Sequence, residues 1–273
     1  GQGRVDCVGD KEAFEQRVRE RPRTQAKIVA STDGYAWDWR LPMMGELVRE
    51  PLAMQLHRIE PINGRIVSPE GKQVANVDVV AYQVSRPVGG LDEYLRRVRE
   101  ERLNIYATSD TWQFGGGKVA RTDADGRFQF NDFGAERVVE LRLSGDETPT
   151  GKIIVVTRPS KEDNSGGVEG IAEGNVPHFH STFTFVAPSS RTIRGVVTDE
   201  KTGAPISDIE VHCHANGQRA NTGADGRFEF TGCKKSSDSM LIVKSRLQPY
   251  FDRAIAVRDT DGLKPIAAEF TLR

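Results

Sequence analysis

Four of the five histidines stand in two His-x-His pairs, His178/His180 and His212/His214. Residues i and i+2 of a β-strand share a face, so each pair can offer two imidazoles to one metal ion. A structural site takes about four ligands, which the two pairs would supply if they met. That chemistry would suit a metal-dependent enzyme. Against it, no Cys or carboxylate completes either pair at a familiar spacing. Residues 212 and 214 also fall on the outward side of their strand, where polar groups belong anyway. Ordinary surface histidines are the plainer reading.

Three other groups invite a chemical reading. Tyr35, Trp37 and Trp39 alternate, so a strand would set all three rings on one face, a platform that could stack on sugars. Packing against a neighbouring sandwich explains them equally. Asp123, Asp125 and Gly126, with Asp225 and Gly226, resemble part of a calcium loop but lack the further ligands and distant Glu of an EF-hand. A polar turn explains them: Asp accepts local backbone hydrogen bonds and Gly permits positive φ. Cys213 and Cys233 align with Ala81 and Phe133, two core positions, so buried thiols are expected, with a disulfide as the alternative. Gly115-Gly116-Gly117-Lys118 lacks the strand–loop–helix context of a phosphate loop. No cofactor is implied.

The elements that must carry these residues occur twice. Thr122–Phe130 reads TDADGRFQF and Thr222–Phe230 reads TGADGRFEF. Upstream, INGRIVSPEGKQVANVDVVAYQ runs against IRGVVTDEKTGAPISDIEVHCHA with one gap. Each copy reads as a strand, a Gly-containing hairpin turn and a second alternating strand. The Asp/Gly turn leads to a third strand. A fourth follows at 138–143 or 240–243, and a last at 183–185 or 270–272. Alternation turns Val77, Val79 and Ala81 toward one core, and Ile209, Val211 and Cys213 toward the other.

Residues 1–60 read as the tail of an earlier repeat. Gly3 to Cys7 would be one strand, Lys27 to Ala30 the next and Leu52 to Leu56 the closing strand. The polypeptide is therefore expected to extend upstream of Gly1. A helix around Glu12 to Arg21 is ended by Pro22. Leu91, Tyr94, Leu95 and Val98 follow helical spacing, with Asp92/Arg96 and Glu93/Arg97 as i,i+4 ion pairs, and this helix is expected to cap an open end of the middle sandwich. The Gly- and acid-rich stretch 159–175 reads as a mobile loop.

A chain of 273 residues has room for two or three domains. Its 27 glycines and 13 prolines suit the many turns of an all-β protein. A net charge of −1 leaves no electrostatic footprint for nucleic acid, and no apolar run approaches a membrane span. Three cysteines are too few for a disulfide scaffold.

At its IxGxV…G…PI…I.V and T.ADGRF.F positions the chain resembles the carboxypeptidase regulatory-like domain, a transthyretin-like β-sandwich. The resemblance covers 191–273 well, 61–188 with interruptions, and 1–60 in part. It implies an accessory module with no catalytic residues, found in large bacterial proteins, and an extracytoplasmic setting. The fold class expected is all-β: tandem Ig-like or transthyretin-like sandwiches, with a short inserted helix in the middle one. The divisions are a truncated repeat at 1–60 and sandwiches at 61–190 and 191–273. A non-enzymatic spacing or protein-interaction role follows, the partner being a protein or other domains of the same polypeptide. The alternatives are a carbohydrate-binding module using Tyr35, Trp37 and Trp39, and a metal-dependent enzyme using the histidine pairs.

Overall fold

Apolar–polar alternation sets the strands, and burial follows it residue by residue. In the strand RFQF only Phe128 and Phe130 are buried, as a pleat with one wet face requires. The computed structural model describes residues 11–21, 23–47, 52–101, 109–158, 167–168, 176–214, 217–235, 239–245 and 249–273. The chain divides into two compact units, Gly1–Pro61 with Asn131–Ala135, and Ile62–Phe130 with Glu136–Arg273.

The first unit holds helix α1 (Lys11–Glu20), strands β1 (Ile28–Thr32) and β2 (Tyr35–Arg40), and the short helix α2 (Met44–Leu47). β1 and β2 form an antiparallel hairpin with Thr32 opposite Tyr35. The expected strand at Leu52–Leu56 does not form. Pairing beyond it is limited to isolated bridges, Arg58 with Tyr35 and Ile59 with Gly134. With Leu52 exposed and no ladder beside it, that stretch lacks the hydrogen bonds a strand needs. The expected strand at Gly3–Cys7 lies outside the described residues.

The second unit begins with β3 (Ile62–Val67), β4 (Asp78–Pro87), helix α3 (Gly90–Glu101), β5 (Ser109–Arg121), β6 (Arg127–Phe130), β7 (Val138–Ser144), β8 (Gly151–Val156), β9 (His178–Phe179) and β10 (Thr182–Val186). These make a three-stranded sheet, β10-β3-β6, and a five-stranded sheet, β5-β4-β7-β8-β9. Stacking of Phe179 on Phe183, with centroids 4.7 Å apart, joins the two sheets. The chain continues through β11 (Ser190–Asp199), β12 (Glu210–Cys213), β13 (Arg219–Asn221), β14 (Arg227–Lys234), β15 (Ser239–Lys244), β16 (Arg253–Val257) and β17 (Ile266–Leu272). Their sheets are β14-β11-β17 and β13-β12-β15-β16. One buried cluster spans both, with Ile193, Val197, Phe228 and Phe270 from the first and Val211, Cys213, Leu241 and Val243 from the second. The fold is all-β, built from β-sandwiches.

Both inward triplets lie where alternation puts them: Val77, Val79, Ala81, Ile209, Val211 and Cys213 are all buried. The expected Gly-containing turns form, closed by antiparallel bridges between Val67 and Gln73 and between Thr198 and Pro205, but the two strands they join do not pair as a hairpin. β3 and β4 belong to different sheets, as do β11 and β12, so the connection arches across the sandwich. Its path is set by Val74 and Val77, which are buried in the arch, and by Asn76, whose φ of 60° turns the chain; Asp208 does the same at 57° in the later copy.

Helix α3 forms where its periodicity places it, with Leu91, Tyr94, Leu95 and Val98 buried. It does not close an end of the sandwich. It lies on the outer face of the five-stranded sheet, against Val138, Ile154 and Val156, residues whose neighbours Val139 and Val155 face the interior. Burying four such side chains is worth about 1.5–3 kcal/mol apiece, which explains why the broad face is preferred. The ion pairs differ in part: Arg97 acts on Glu93 as expected, but Asp92 and Arg96 do not pair with each other. Arg96 binds Glu93 and Glu100, whereas Asp92 reaches Arg158, 2.5 Å away. The expected loop 159–175 lies outside the described residues except for 167–168, where Val168 packs with the α3 cluster.

Candidate functional site

The duplicated TxADGRFxF stretch is a structural latch centred on its threonine. Thr122 is buried, donates its hydroxyl to the Val74 carbonyl at 2.9 Å and accepts the Val77 N–H at 2.9 Å. Thr222 donates to the Ile206 carbonyl at 2.8 Å and accepts the Ile209 N–H at 2.9 Å. Backbone pairs flank each hydroxyl: Asn76 N–H to Thr122 O and Thr122 N–H to Val77 O in one copy, Asp208 to Thr222 and Thr222 to Ile209 in the other. One hydroxyl thus satisfies two buried backbone groups of the arch, which would otherwise each cost about 1–3 kcal/mol.

The following turn completes the latch. Asp123 Oδ1 accepts the N–H groups of Asp125 and Arg127 at 2.9 and 2.8 Å. Asp225 Oδ1 accepts that of Arg227 at 3.1 Å. The turn reading therefore accounts for these carboxylates. Gly126 and Gly226 have φ of 73° and 71°, and a Cβ there would sit 2.4 Å from Ile66 O or 2.6 Å from Val197 O. The closeness is needed because Ile66 and Val197 donate to the carbonyls of these glycines.

The two histidine pairs lie in different sheets. His178, on β9, is buried, and its Nδ1 lies 2.7 Å from Val176 O. A carbonyl only accepts, so Nδ1 carries the proton and Nε2 accepts from the Tyr94 hydroxyl, 2.9 Å away. Burial pushes the His178 pKa down to about 4 and the Tyr94 hydroxyl upward. With both nitrogens engaged, His178 fastens α3 to the sheet instead of presenting a free lone pair. His180 follows just past β9. His212, on β12, sets Nε2 2.6 Å from Glu210 Oε1, and His214 is exposed. Among the described residues no three or more His, Cys, Asp or Glu side chains are grouped to hold a metal.

The aromatic trio is divided. Trp37 and Trp39 lie 5.4 Å apart, but Trp39 is 1% exposed while Tyr35 is 42% exposed. The ring of Trp39 serves the core of the first unit, and Tyr35 and Trp37 are the members within reach of solvent. Cys213 and Cys233 are buried thiols, not joined in a disulfide.

Sequence reasoning did not single out the close approach, within the second unit, of the β7–β8 turn to β14. Gly232, in β14, has φ of 61° and donates its N–H to Asp146 O at 3.2 Å. A Cβ at this position would lie 2.4 Å from Gly145 O and 2.8 Å from Thr148 O. Ser190 Oγ also donates to Asp146 O, and Gln218 Nε2 to Thr150 Oγ1. The β7–β8 turn of one sandwich therefore meets the backbone of the next with no side chain between them. Arg191 anchors the connecting segment. It is buried, binds Asp259 at 2.8 Å, and donates to Thr260 O and Gly262 O at 2.6 and 2.7 Å.

No family model matches the chain, and no curated protein matches it in sequence. Several solved structures are distantly similar. A streptococcal ancillary pilin aligns over 91% of this chain and 75% of its own, at 11% identity and a TM-score of 0.30. The shaft pilin SpaA of Lactobacillus rhamnosus GG aligns over 78% and 98%, at 8% and 0.28. The pilus 2b backbone protein of group B streptococcus aligns over 78% and 91%, at 11% and 0.28. Superpositions this loose assign neither a fold nor a function to the chain.

Proposed function

We propose that this chain is a non-enzymatic array of β-sandwich modules, divided at 61–190 and 191–273, that spaces or presents other parts of a larger polypeptide. On this reading the modules are relatives of the carboxypeptidase regulatory-like domain, and 1–60 is a partial copy. The observation that carries the proposal is the Gly232 junction. A close backbone-to-backbone approach between sandwiches is of no use to a pair of independent binding modules and is what a spacer of fixed geometry needs. The buried Arg191 clamp adds to this, because it immobilises the first residues after the linker.

Electron–electron distance measurements on the full chain test the reading. Spin labels would be carried on Lys152→Cys and Lys201→Cys, with Cys7→Ser removing a background thiol; Lys152 and Lys201 are exposed. The expected result is one narrow distance distribution that broadens on Gly232→Val. A broad distribution in the unsubstituted junction would refute the spacer role.

A further inference from the structure

The duplication lets the two three-stranded sheets be compared position by position, because Gly64 and Gly195 hold the same place in each. Gly64 of β3 lies opposite Phe128 and Gly195 of β11 opposite Phe228. A Cβ on these glycines would sit 2.2 and 2.3 Å from the facing ring. The residues on either side of each glycine point the other way, out of the sandwich. In the C-terminal sheet Arg194 lies opposite Glu229, and Val196 lies between Arg227 and Glu269. The charges there are balanced: Arg194 binds Glu229 at 3.0 Å and Arg227 approaches Asp225 at 3.4 Å.

The middle sheet keeps this frame and changes the charges. At the matching places Asn63 lies opposite Gln129, and Arg65 lies between Arg127 and Thr184. Neutral Gln129 and Thr184 stand where the later copy has glutamates, and Arg65 stands in place of Val196. Arg65 donates its Nε–H to Asp125 O at 3.1 Å, a backbone contact that leaves its charge unbalanced. Arg127 is exposed, and among the described residues neither guanidinium has an ion-pair partner. Like charges directly opposite each other on paired strands are destabilising. The fold therefore gains nothing from this pair.

We infer that the outer face of the β10-β3-β6 sheet is a docking surface for an acidic protein segment, whose carboxylates pair with Arg65 and Arg127. A guanidinium presents two parallel N–H donors to one carboxylate, so charge complementarity selects an anionic partner. The surroundings select a polypeptide over an acidic glycan. The outward positions of the three strands carry no aromatic ring, and the face lacks the stacking platform that suits a sugar. Val186, 57% exposed on the same side, offers an apolar contact instead. The side-chain amides of Asn63 and Gln129, joined at 2.9 Å, supply polar surroundings. This surface is independent of the spacer reading, which stands or falls without it.

Titration of the full chain with a fluorescein-labelled oligoglutamate peptide tests the inference, and backbone amide shifts locate the peptide. Saturable binding is expected at low ionic strength, weakened by added salt, with shifts centred on 63–65, 127–129 and 182–186. Arg65→Val combined with Gln129→Glu gives the middle sheet the charge pattern that the C-terminal sheet already folds with. It removes one charge pair and adds one repulsion, so affinity should fall about tenfold. Lys201→Glu makes the same change in net charge at an exposed position of the other sandwich and should leave affinity unchanged. An equal loss in both variants, shifts centred elsewhere, or no saturable binding of the peptide overturns the inference. So does a sulfated dextran that shifts these amides where the peptide does not, because the face would then belong to an anionic glycan.

Discussion

Two threonine hydroxyls carry more of this fold than their chemistry suggests. Thr122→Val keeps the shape of the side chain and removes the partner of the Val77 N–H and Val74 carbonyl, so it should cost about 1–3 kcal/mol, with Thr222→Val costing a similar amount. Denaturant midpoints read both, and Thr→Ser should retain most of the stability. An unchanged midpoint in the valine variants would remove the latch from the account. Gln83 makes the opposite case. It sits at the β4 bulge opposite Glu140, 1% exposed, with neither amide atom hydrogen-bonded among the described residues. Gln83→Met should leave stability unchanged or raise it by about 1 kcal/mol; a large loss would mean that the amide has a structural role. The Asp and Gly of the repeat were legible as turn formers because their action is local. The threonine was not, because its partners lie 45 and 48 residues upstream in the earlier copy and only the folded arch brings them together.

Helix α3 is attached by both packing and a titratable contact. His178 has its pKa held near 4 by burial, against an ordinary value of 6.5. Above pH 6.5 the imidazole is neutral in both folded and unfolded states, and its site costs nothing. As the pH falls from 6.5 toward 4 the unfolded chain takes up a proton that the folded chain refuses. Stability is therefore lost through that window, by about 3 kcal/mol in all. In His178→Gln the fall between pH 6.5 and 4 should be shallower by that amount in denaturant titrations. Parallel curves for the two proteins would contradict the buried, neutral histidine. Helical spacing at 91, 94, 95 and 98 made this helix readable, since periodicity reports which side chains face inward. Periodicity does not report which sheet a strand joins, so the arch between β3 and β4 was mistaken for a hairpin. Strand β5 escaped notice because Gly115-Gly116-Gly117, residues of low strand propensity, interrupt it where its pairing with β4 jumps from Lys118 to Gln113. β9 is two residues long and has no pattern to read.

At the scale of the molecule, the repeat itself was the legible feature, and the way the copies meet was not. Gly232 looks like any strand glycine until Gly145 and Thr148 are seen against it. Few residues separate β10 from β11, and the Arg191 clamp to Asp259, Thr260 and Gly262 holds their end in the C-terminal sandwich. The central claim is that the two complete sandwiches form one rigid tandem. Residual dipolar couplings of backbone amides in a single weakly aligned sample test it most directly. The account predicts that amides of 62–130 and 136–186 fit the same alignment tensor, in magnitude and orientation, as amides of 190–272. Two tensors of different magnitude would mean that the sandwiches reorient independently, and the spacer would be an unjointed string of modules.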